Sequence, residues 1–127
     1  NGAPESGLAI MTDVLTANQH IDGVFSIDDE LSIGLLQAIK EANRTDIKVM
    51  TGGGGAQAYF KLMPDNPDIW LASALYVPGM IRTCVDMADG LLKGETYDQT
   101  TIIPSQIIDR ENVEEYVNEN VDLGAPY

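Results

Sequence analysis

The chain has 127 residues, of which 7 are basic and 20 are acidic, and its formal net charge is −13. This length is typical of a single domain, and a hydrophobic fraction of 44% is sufficient for a folded core. The strong negative charge argues against a nucleic acid as partner, because phosphates would repel it and the basic residues are scattered along the chain.

The first half of the chain predicts an alternation of helices and strands. Apolar residues at helical spacing over residues 8–15 predict a first helix, and Asn18 is a suitable residue to end it. The run DGVFSI predicts a short, buried strand. Residues 31–39 then carry the apolar face of a second helix that ends at Asn43, and the run IKVMT predicts a second strand.

The second half continues this alternation. The run AQAYFKLM predicts a short helix, and WLASALYV predicts a third strand. Pro78 suits the first position of a fourth helix, which ends at the Lys93-Gly94 pair. The run TTIIPSQII predicts a fourth strand, in which Pro104 requires an edge, a bend or a crossing, and Asp109 is placed to cap a last helix.

This order predicts an α/β fold built on a parallel sheet with helices on both faces. In open sheets of this class, ligands bind beyond the carboxyl ends of the strands. Three segments lie there in the predicted topology, and we take them as the candidate site: residues 28–30, 52–55 and 76–78.

Four consecutive glycines follow the second predicted strand, in the run TGGGGAQ. A phosphate-binding P-loop would need a lysine directly after the glycines, and the next lysine is Lys61. Gly53, Gly55 and Ala58 match the spacing of a dinucleotide site, but the next strand ends without the carboxylate that binds the ribose. Two interpretations stay open: a permissive turn from strand to helix, or a ligand held against bare backbone N–H groups at the helix start.

Three adjacent acids, Asp28, Asp29 and Glu30, follow the first predicted strand. A metal ion or a phosphoacceptor site would need further oxygen ligands from the neighbouring strand ends, which offer only glycine and tyrosine, so we predict no metal site. Either aspartate is able to cap the second helix. If Asp29 is the cap, Asp28 is left free to accept hydrogen bonds from a polar ligand.

The sequence carries no recognisable catalytic apparatus. His20 is the single histidine, and it precedes the first strand, away from the carboxyl ends where a site is expected. No serine or cysteine is arranged with it as a nucleophile, so we predict a protein that is not an enzyme and uses no cofactor. Cys84, the single cysteine, lies in a helical apolar pattern and is predicted to be a buried, inert thiol.

Three stretches resemble the C-terminal half of ribose-type periplasmic sugar-binding proteins. They are MTDVLTANQHIDGVFSIDDELSIGLLQAIKEANRTDIKVM, LYVPGMIRTCVDMADGLLKGE and IIPSQIIDRENVEEY, which cover nearly the whole chain in the family's order. The resemblance implies a two-lobed receptor that closes on a monosaccharide or polyol and delivers it to the membrane subunits of an ABC transporter. Lactose-repressor-type regulators share this fold, so the effector-binding domain of such a regulator is the alternative.

The resemblance also implies a location and an organisation. Such receptors work in the periplasm or at the cell envelope after export by a signal peptide, which this chain does not contain, and they are longer, so we expect a fragment. Residues 1–77 would form part of the C-terminal lobe, residues 78–105 a helix and return segment of the other lobe, and residues 106–127 the return to the first. The hinge residues would then be Val77, Pro78, Ser105 and Gln106.

Four residues fall at ligand-binding positions of the family that the chain resembles. Asp28 falls where the family has a sugar-binding Asn or Asp, and Tyr76 falls at the hinge, where ribose binders carry a glutamine. Gly52 and Gly53 replace an aromatic residue and an aspartate. The resemblance therefore implies a bulkier or differently substituted ligand than ribose, with the glycines leaving space and backbone donors.

A fragment of this kind would also expose apolar surface. The sheet would have a free edge, and the helix over residues 78–92 would have lost the lobe on which it packs. We therefore expect the isolated chain to self-associate, through edge pairing or through exchange of that helix between copies.

Overall fold

The architecture is a four-stranded sheet with five α-helices, in a computed structural model that describes residues 3–76 and 78–119. The helices are α1 (Pro4–Ala17), α2 (Asp29–Glu41), α3 (Gln57–Phe60), α4 (Ile81–Leu92) and α5 (Val113–Glu119). The strands are β1 (Gly23–Phe25), β2 (Val49–Gly54), β3 (Trp70–Leu75) and β4 (Ile107–Asp109). The predicted α/β class is confirmed, and the helices and strands follow one another in the predicted order.

The strands pair in the order β1–β2–β3–β4, and the first three run parallel. β4 pairs with β3 in the antiparallel sense, so the prediction of a wholly parallel sheet is wrong for this strand. The reason is the return path: the Leu75 N–H donates to the Gln106 carbonyl (2.9 Å), so the chain re-enters at the carboxyl edge and runs back. β4 is also shorter than predicted, and Pro104, which has no N–H for a ladder, lies before it.

The hydrophobic core lies on one face of the sheet. Because successive strand residues point to opposite faces, Met50 of β2, Leu71 of β3 and Ile108 of β4 share this face, and each is at most 1% exposed. The inner sides of α1, α2, α3 and α5 pack there and contribute Met11, Leu15, Leu35, Leu36, Ala38, Ile39, Tyr59, Phe60 and Val113.

The opposite face of the sheet is largely open among the described residues. Phe25 of β1 is 87% exposed, Ile107 of β4 is 54% exposed and Trp70 of β3 is 37% exposed. We expected helices on both faces of the sheet, but the described helices that reach the core all pack on the face that carries Met50 and Leu71. The predicted burial of β1 is wrong as well: Gly23 and Phe25 are exposed, and Val24 is only partly buried where it packs against the core, because β1 is an edge strand of the described sheet.

The helix α4 lies outside this core. Gly90 is its one buried residue, and Ile81, Val85 and Leu92 are at least 60% exposed. Cys84 is exposed as well, so its predicted burial is wrong: the apolar side of this helix is not covered by the described residues. No helix in the described part of the chain is long and apolar enough to cross a membrane.

A polar corner closes the amino-terminal edge of the sheet, opposite the candidate site. Arg44 donates to both oxygens of Asp46 (2.7 and 2.6 Å) and to the backbone carbonyls of Leu15 and Asn18 at the end of α1. The hydrogen bonds from Arg44 hold the pKa of the Asp46 carboxyl well below its usual range. His20 lies at this corner too, 3.5 Å from Asp46, and is therefore remote from the carboxyl edge, as predicted.

Candidate functional site

The three predicted segments meet at the carboxyl edge of the sheet. A Cβ atom placed on Gly53 would lie 3.2 Å from Cε1 of Tyr76 and 3.9 Å from the carbonyl oxygen of Ile27. The N–H of Gly55 donates to Oδ2 of Asp29 (2.8 Å). The ends of β1, β2 and β3 are therefore neighbours, as the parallel topology of these strands predicts.

Asp28 is the N-cap residue of α2. Its Oδ1 accepts a hydrogen bond from the Leu31 N–H (2.7 Å), and its carbonyl oxygen accepts from the hydroxyls of Ser26 and Ser32. The hypothesis that Asp29 caps the helix and leaves Asp28 free is therefore wrong. Oδ2 of Asp28 nevertheless accepts no hydrogen bond from the described residues, and the residue is only partly buried. One oxygen of this carboxylate holds the helix, and the other is open to a ligand.

Asp29 joins three elements at this edge. It is fully buried at the start of α2, and its Oδ2 accepts hydrogen bonds from the N–H groups of Gly55 and Ala56 (2.8 and 2.9 Å) and from the Ser73 hydroxyl of β3 (2.7 Å). Its Oδ1 has no hydrogen-bond partner among the described residues. Sequence reasoning did not identify this role. The signal for it was the glycine run itself, since a buried carboxylate needs backbone donors at close range.

Three glycines of the run have structural purposes. A Cβ on Gly52 would collide with Oδ1 of Asp29 and lie 2.9 Å from Oγ of Ser32, so Gly52 makes room for the buried carboxylate. Gly54 and Gly55 have positive φ angles of 119° and 103°, which residues with a side chain rarely adopt. The turn from β2 into α3 therefore depends on the last two glycines.

Gly53 has no such backbone requirement, because its φ is not positive. The atom nearest to a Cβ at this position belongs to the Tyr76 ring, and Cζ and the hydroxyl oxygen of that ring come within 3.6 Å of a Cβ on Gly54. The edge of the ring that carries Cε1, Cζ and the hydroxyl thus lies next to these two glycines, yet Tyr76 is 56% exposed. Its hydroxyl has no hydrogen-bond partner in the described part of the chain.

These contacts change two expectations about the glycine run. The N–H groups that lead into α3 are not bare donors, because Asp29 accepts both of them. The space beside Gly52 and Gly53 is not empty, because the Asp29 carboxylate fills the first position and the Tyr76 ring lies against the second. The loop therefore offers no phosphate cradle of the kind left open by the sequence.

Tyr59 of α3 lies beneath this edge, in the core. It is fully buried, and its hydroxyl donates to the Met50 carbonyl of β2 (3.3 Å). Burial raises the pKa of the Tyr59 phenol well above its usual value, and the negative charge of Asp29 raises it further. The phenol is therefore neutral near pH 7 and serves the core, not a ligand.

The predicted hinge positions lie where the chain leaves β3 and where it enters β4. Oγ of Ser105 donates to the Leu75 carbonyl (2.8 Å), next to the hydrogen bond between the Leu75 N–H and the Gln106 carbonyl. The two predicted crossings are therefore side by side. Pro78–Met80 forms a single 3₁₀ turn before α4, and Val77 lies outside the described residues.

Two groups at this edge are available for hydrogen bonding and packing. Oδ2 of Asp28 is a charged acceptor, and Tyr76 adds an aromatic face and a hydroxyl that donates or accepts. Within the described ranges, no group of three His, Cys, Asp or Glu side chains could hold a metal ion. The single histidine and the single cysteine lie elsewhere, at the amino-terminal corner and on α4.

Two curated proteins are similar to most of this chain. A protein of Rhizobium meliloti named for rhizopine binding is 29% identical over 116 residues, which is 90% of this chain and 37% of that protein. The ribose import binding protein of Salmonella typhimurium is 33% identical over 90 residues, which is 70% of this chain and 29% of that protein. The chain therefore spans about a third of the length of these relatives, and both are named as binding proteins, not as enzymes.

A solved structure and a family profile agree with these relatives. The periplasmic binding protein component of the arabinose ABC transporter from Shewanella sp. ANA-3, bound to L-arabinofuranose, superposes with a TM-score of 0.76 and 28% identity. The match covers 92% of this chain and 40% of that chain. The profile of the periplasmic binding protein domain matches residues 1–96, and since this is most of the chain, the protein belongs to that family.

Proposed function

We propose that this chain binds a sugar or polyol as part of the solute-binding component of an ABC-type uptake system. The observation that carries the proposal is the carboxyl edge of the sheet, where Oδ2 of Asp28 and the ring of Tyr76 are open in a chain of this family. The relatives support it, because their names refer to rhizopine, ribose and arabinose. The alternative of a transcription regulator has no observation in its favour.

The chemistry of this edge suits a polyhydroxylated ligand. A carboxylate oxygen accepts hydrogen bonds from hydroxyl groups, and a charge-assisted hydrogen bond is roughly twice as strong as a neutral one. Tyr76 adds a second polar group and a ring face that packs on C–H groups. Gly52 and Gly53 contribute through their lack of side chains, which lets Asp29 and Tyr76 take up their positions. The ligand is held and released without a chemical step.

We also propose that the chain is divided between two lobes. Residues 78–105, with α4, belong to a second lobe, and the rest of the chain belongs to the first. Two observations support this division: α4 stays outside the core, and the hydrogen bonds of Leu75 with Ser105 and Gln106 bring the two crossings together. With residues 77–78, these crossings form the hinge about which the lobes close on the ligand.

An uptake role implies a membrane partner and an exported location. The membrane subunits of the ABC transporter receive the ligand, and the protein works in the periplasm or at the outer side of the cell envelope after export. The family's description as periplasmic supports this location, as does the transporter named for the arabinose relative. The net charge of −13 is consistent with the absence of a nucleic-acid partner.

The apolar side of α4 needs a cover. In a two-lobed protein the second lobe supplies it, and in the isolated chain we expect a second copy to do so, because Ile81 and Val85 are more than half exposed. Light scattering of the 127-residue chain at several concentrations tests this expectation. Val85→Lys should reduce the association, and a monomer at every concentration would contradict it.

The binding function is tested with the full-length protein. Thermal unfolding is followed in the presence of a panel of monosaccharides and polyols, with amino acids of similar size as control ligands, and calorimetry then measures affinity for each compound that stabilises. A ligand at 100 times its Kd should add about 2.7 kcal/mol to the free energy of unfolding. If no sugar or polyol stabilises the protein, the proposed function is wrong.

A further inference from the structure

We propose that Gly53 and Tyr76 form one specificity-determining unit, which selects ligands with a closed ring over open-chain polyols. The Tyr76 ring lies in the space left by the missing side chain of Gly53, which we call the seat of the ring. An apolar face of the ligand packs on this ring. This inference rests on the proposed binding of a sugar or polyol, and it names the class of ligand.

Gly53 is a glycine because of Tyr76. Its φ is not positive, so its backbone conformation is open to any residue, and it lies within β2, where a glycine weakens the strand. A Cβ here would lie 3.2 Å from Cε1 of the ring, which is tighter than an ordinary contact. The next neighbours are the carbonyl oxygens of Ala74 (3.4 Å) and Ile27 (3.9 Å). The ring is therefore the group that a side chain at this position would disturb first.

The seat supports the ring on one side and leaves the residue exposed. Tyr76 is 56% exposed although its ring lies against the backbone of Gly53 and Gly54. Its hydroxyl is not used by the described residues. A tyrosine presents a large contact area with only two side-chain torsions to restrict, so the loss of entropy on binding is small. The geometry is that of a packing surface, not of a core residue.

A supported aromatic face packs best on a flat and rigid partner. Closed-ring sugars and cyclic polyols present C–H groups on one side of the ring, which match the face of an aromatic side chain. An open-chain polyol spreads its hydroxyls in all directions and loses several torsions when it binds. With the open oxygen of Asp28 as acceptor for hydroxyls at the ring edge, the site favours the closed ring.

Paired ligands test this preference in the full-length protein. Calorimetry compares D-allose with allitol and D-ribose with ribitol, since each polyol is the open-chain reduction product of its sugar, and myo-inositol represents a carbocycle. We expect at least one closed-ring compound to bind, and we expect the affinity for its open-chain counterpart to be lower by roughly tenfold or more. Tyr76→Leu should reduce this difference to about twofold, and Tyr76→Phe should retain it.

A second pair of variants tests the coupling between seat and ring. Gly53→Val should push the ring from its seat and lower affinity for the closed-ring ligand roughly tenfold. In the Tyr76→Leu background the same change should add less than about a twofold loss, because the ring it displaces is gone. Gly53→Ala is the milder variant if Gly53→Val fails to fold, which a thermal melt reveals.

The possible outcomes separate a failure of this inference from a failure of the proposed function on which it rests. Equal affinities for the paired compounds, or unchanged discrimination in Tyr76→Leu, would refute selection of the ring while leaving sugar binding in place. Additive losses from the changes at Gly53 and Tyr76 would refute the coupling. A protein that binds none of the sugars or polyols would refute the proposed function and this inference together.

Discussion

At the carboxyl end of β2, one face of the strand contacts a buried side chain and the other face contacts an exposed one. Gly52 faces the helical side, where the Asp29 carboxylate occupies the place of the missing side chain. Gly53 faces the opposite side, where the exposed ring of Tyr76 lies in the same way. The partner on the first face is buried, and the partner on the second is at the surface. Neighbouring residues of one type therefore hold the fold on one side and support a candidate binding surface on the other.

The largest loss of stability is expected from Asp29→Ala, on the helical face of β2. The variant leaves the N–H groups of Gly55 and Ala56 and the Ser73 hydroxyl without their acceptor. Each unsatisfied buried group costs about 1–3 kcal/mol, so we expect the free energy of unfolding to fall by about 3 kcal/mol or more. Chemical denaturation measures the loss. Glu30→Ala, in the same helical turn, is the control and should change stability by less than about 0.5 kcal/mol.

A loss as small in Asp29→Ala as in this control would contradict the assigned role. It would mean that the backbone donors find other acceptors without Asp29, and that the loop after β2 does not depend on the carboxylate.

The next effect compares the two faces directly, through Gly52→Ala and Gly53→Ala. The first variant forces a methyl group into the Asp29 carboxylate, and overpacking of this kind costs about 1–3 kcal/mol. The second meets a ring that is exposed and able to move, so we expect a loss of less than about 1 kcal/mol. Thermal unfolding of both variants measures the two losses of stability. Equal losses would show that the two faces are equally rigid, and the contrast would then fail.

Asp28 allows the structural and the binding roles to be separated. Asp28→Ala should lose the helix cap, at about 1 kcal/mol of stability, and should weaken binding of the cognate sugar or polyol by roughly tenfold. Asp28→Ser keeps a cap but lacks the second oxygen, so we expect near-normal stability with the same loss of affinity. Unfolding and calorimetry on the full-length protein give the two quantities. If Asp28→Ser bound the ligand normally, this residue would be a cap and nothing more.

The smallest effect is expected at high pH. Because burial raises the pKa of Tyr59, the folded state favours the neutral phenol. This contribution to the free energy of unfolding is fully present at pH values below the usual tyrosine pKa of about 10, and it is lost as the pH rises above that value. Tyr59→Phe should lessen this alkaline loss, while the loss of the hydrogen bond to the Met50 carbonyl lowers stability at neutral pH by about 1 kcal/mol. An identical pH profile for both proteins, measured from pH 8 to 11, would contradict the assignment.

The sequence by itself determined the order of the elements and the place of the candidate site. The apolar period over residues 31–39 predicted α2, because the side chains that recur with the helical period are those that meet the core. Strands that alternate with helices bring their carboxyl ends to one edge, so residues 28–30, 52–55 and 76 could be grouped before any contact was known. The resemblance to sugar-binding proteins rested on the same segments.

Only the tertiary structure decided how the residues at this edge divide their roles. Asp28 and Asp29 are equally able to cap a helix by local rules, and the choice depends on the Gly55 N–H, 26 residues away in the chain. The direction of β4 depends in the same way on the meeting of Leu75 and Gln106. Local patterns report backbone period and propensity, whereas hydrogen bonds and steric limits between distant segments arise only when the chain brings them within about 3–4 Å of each other.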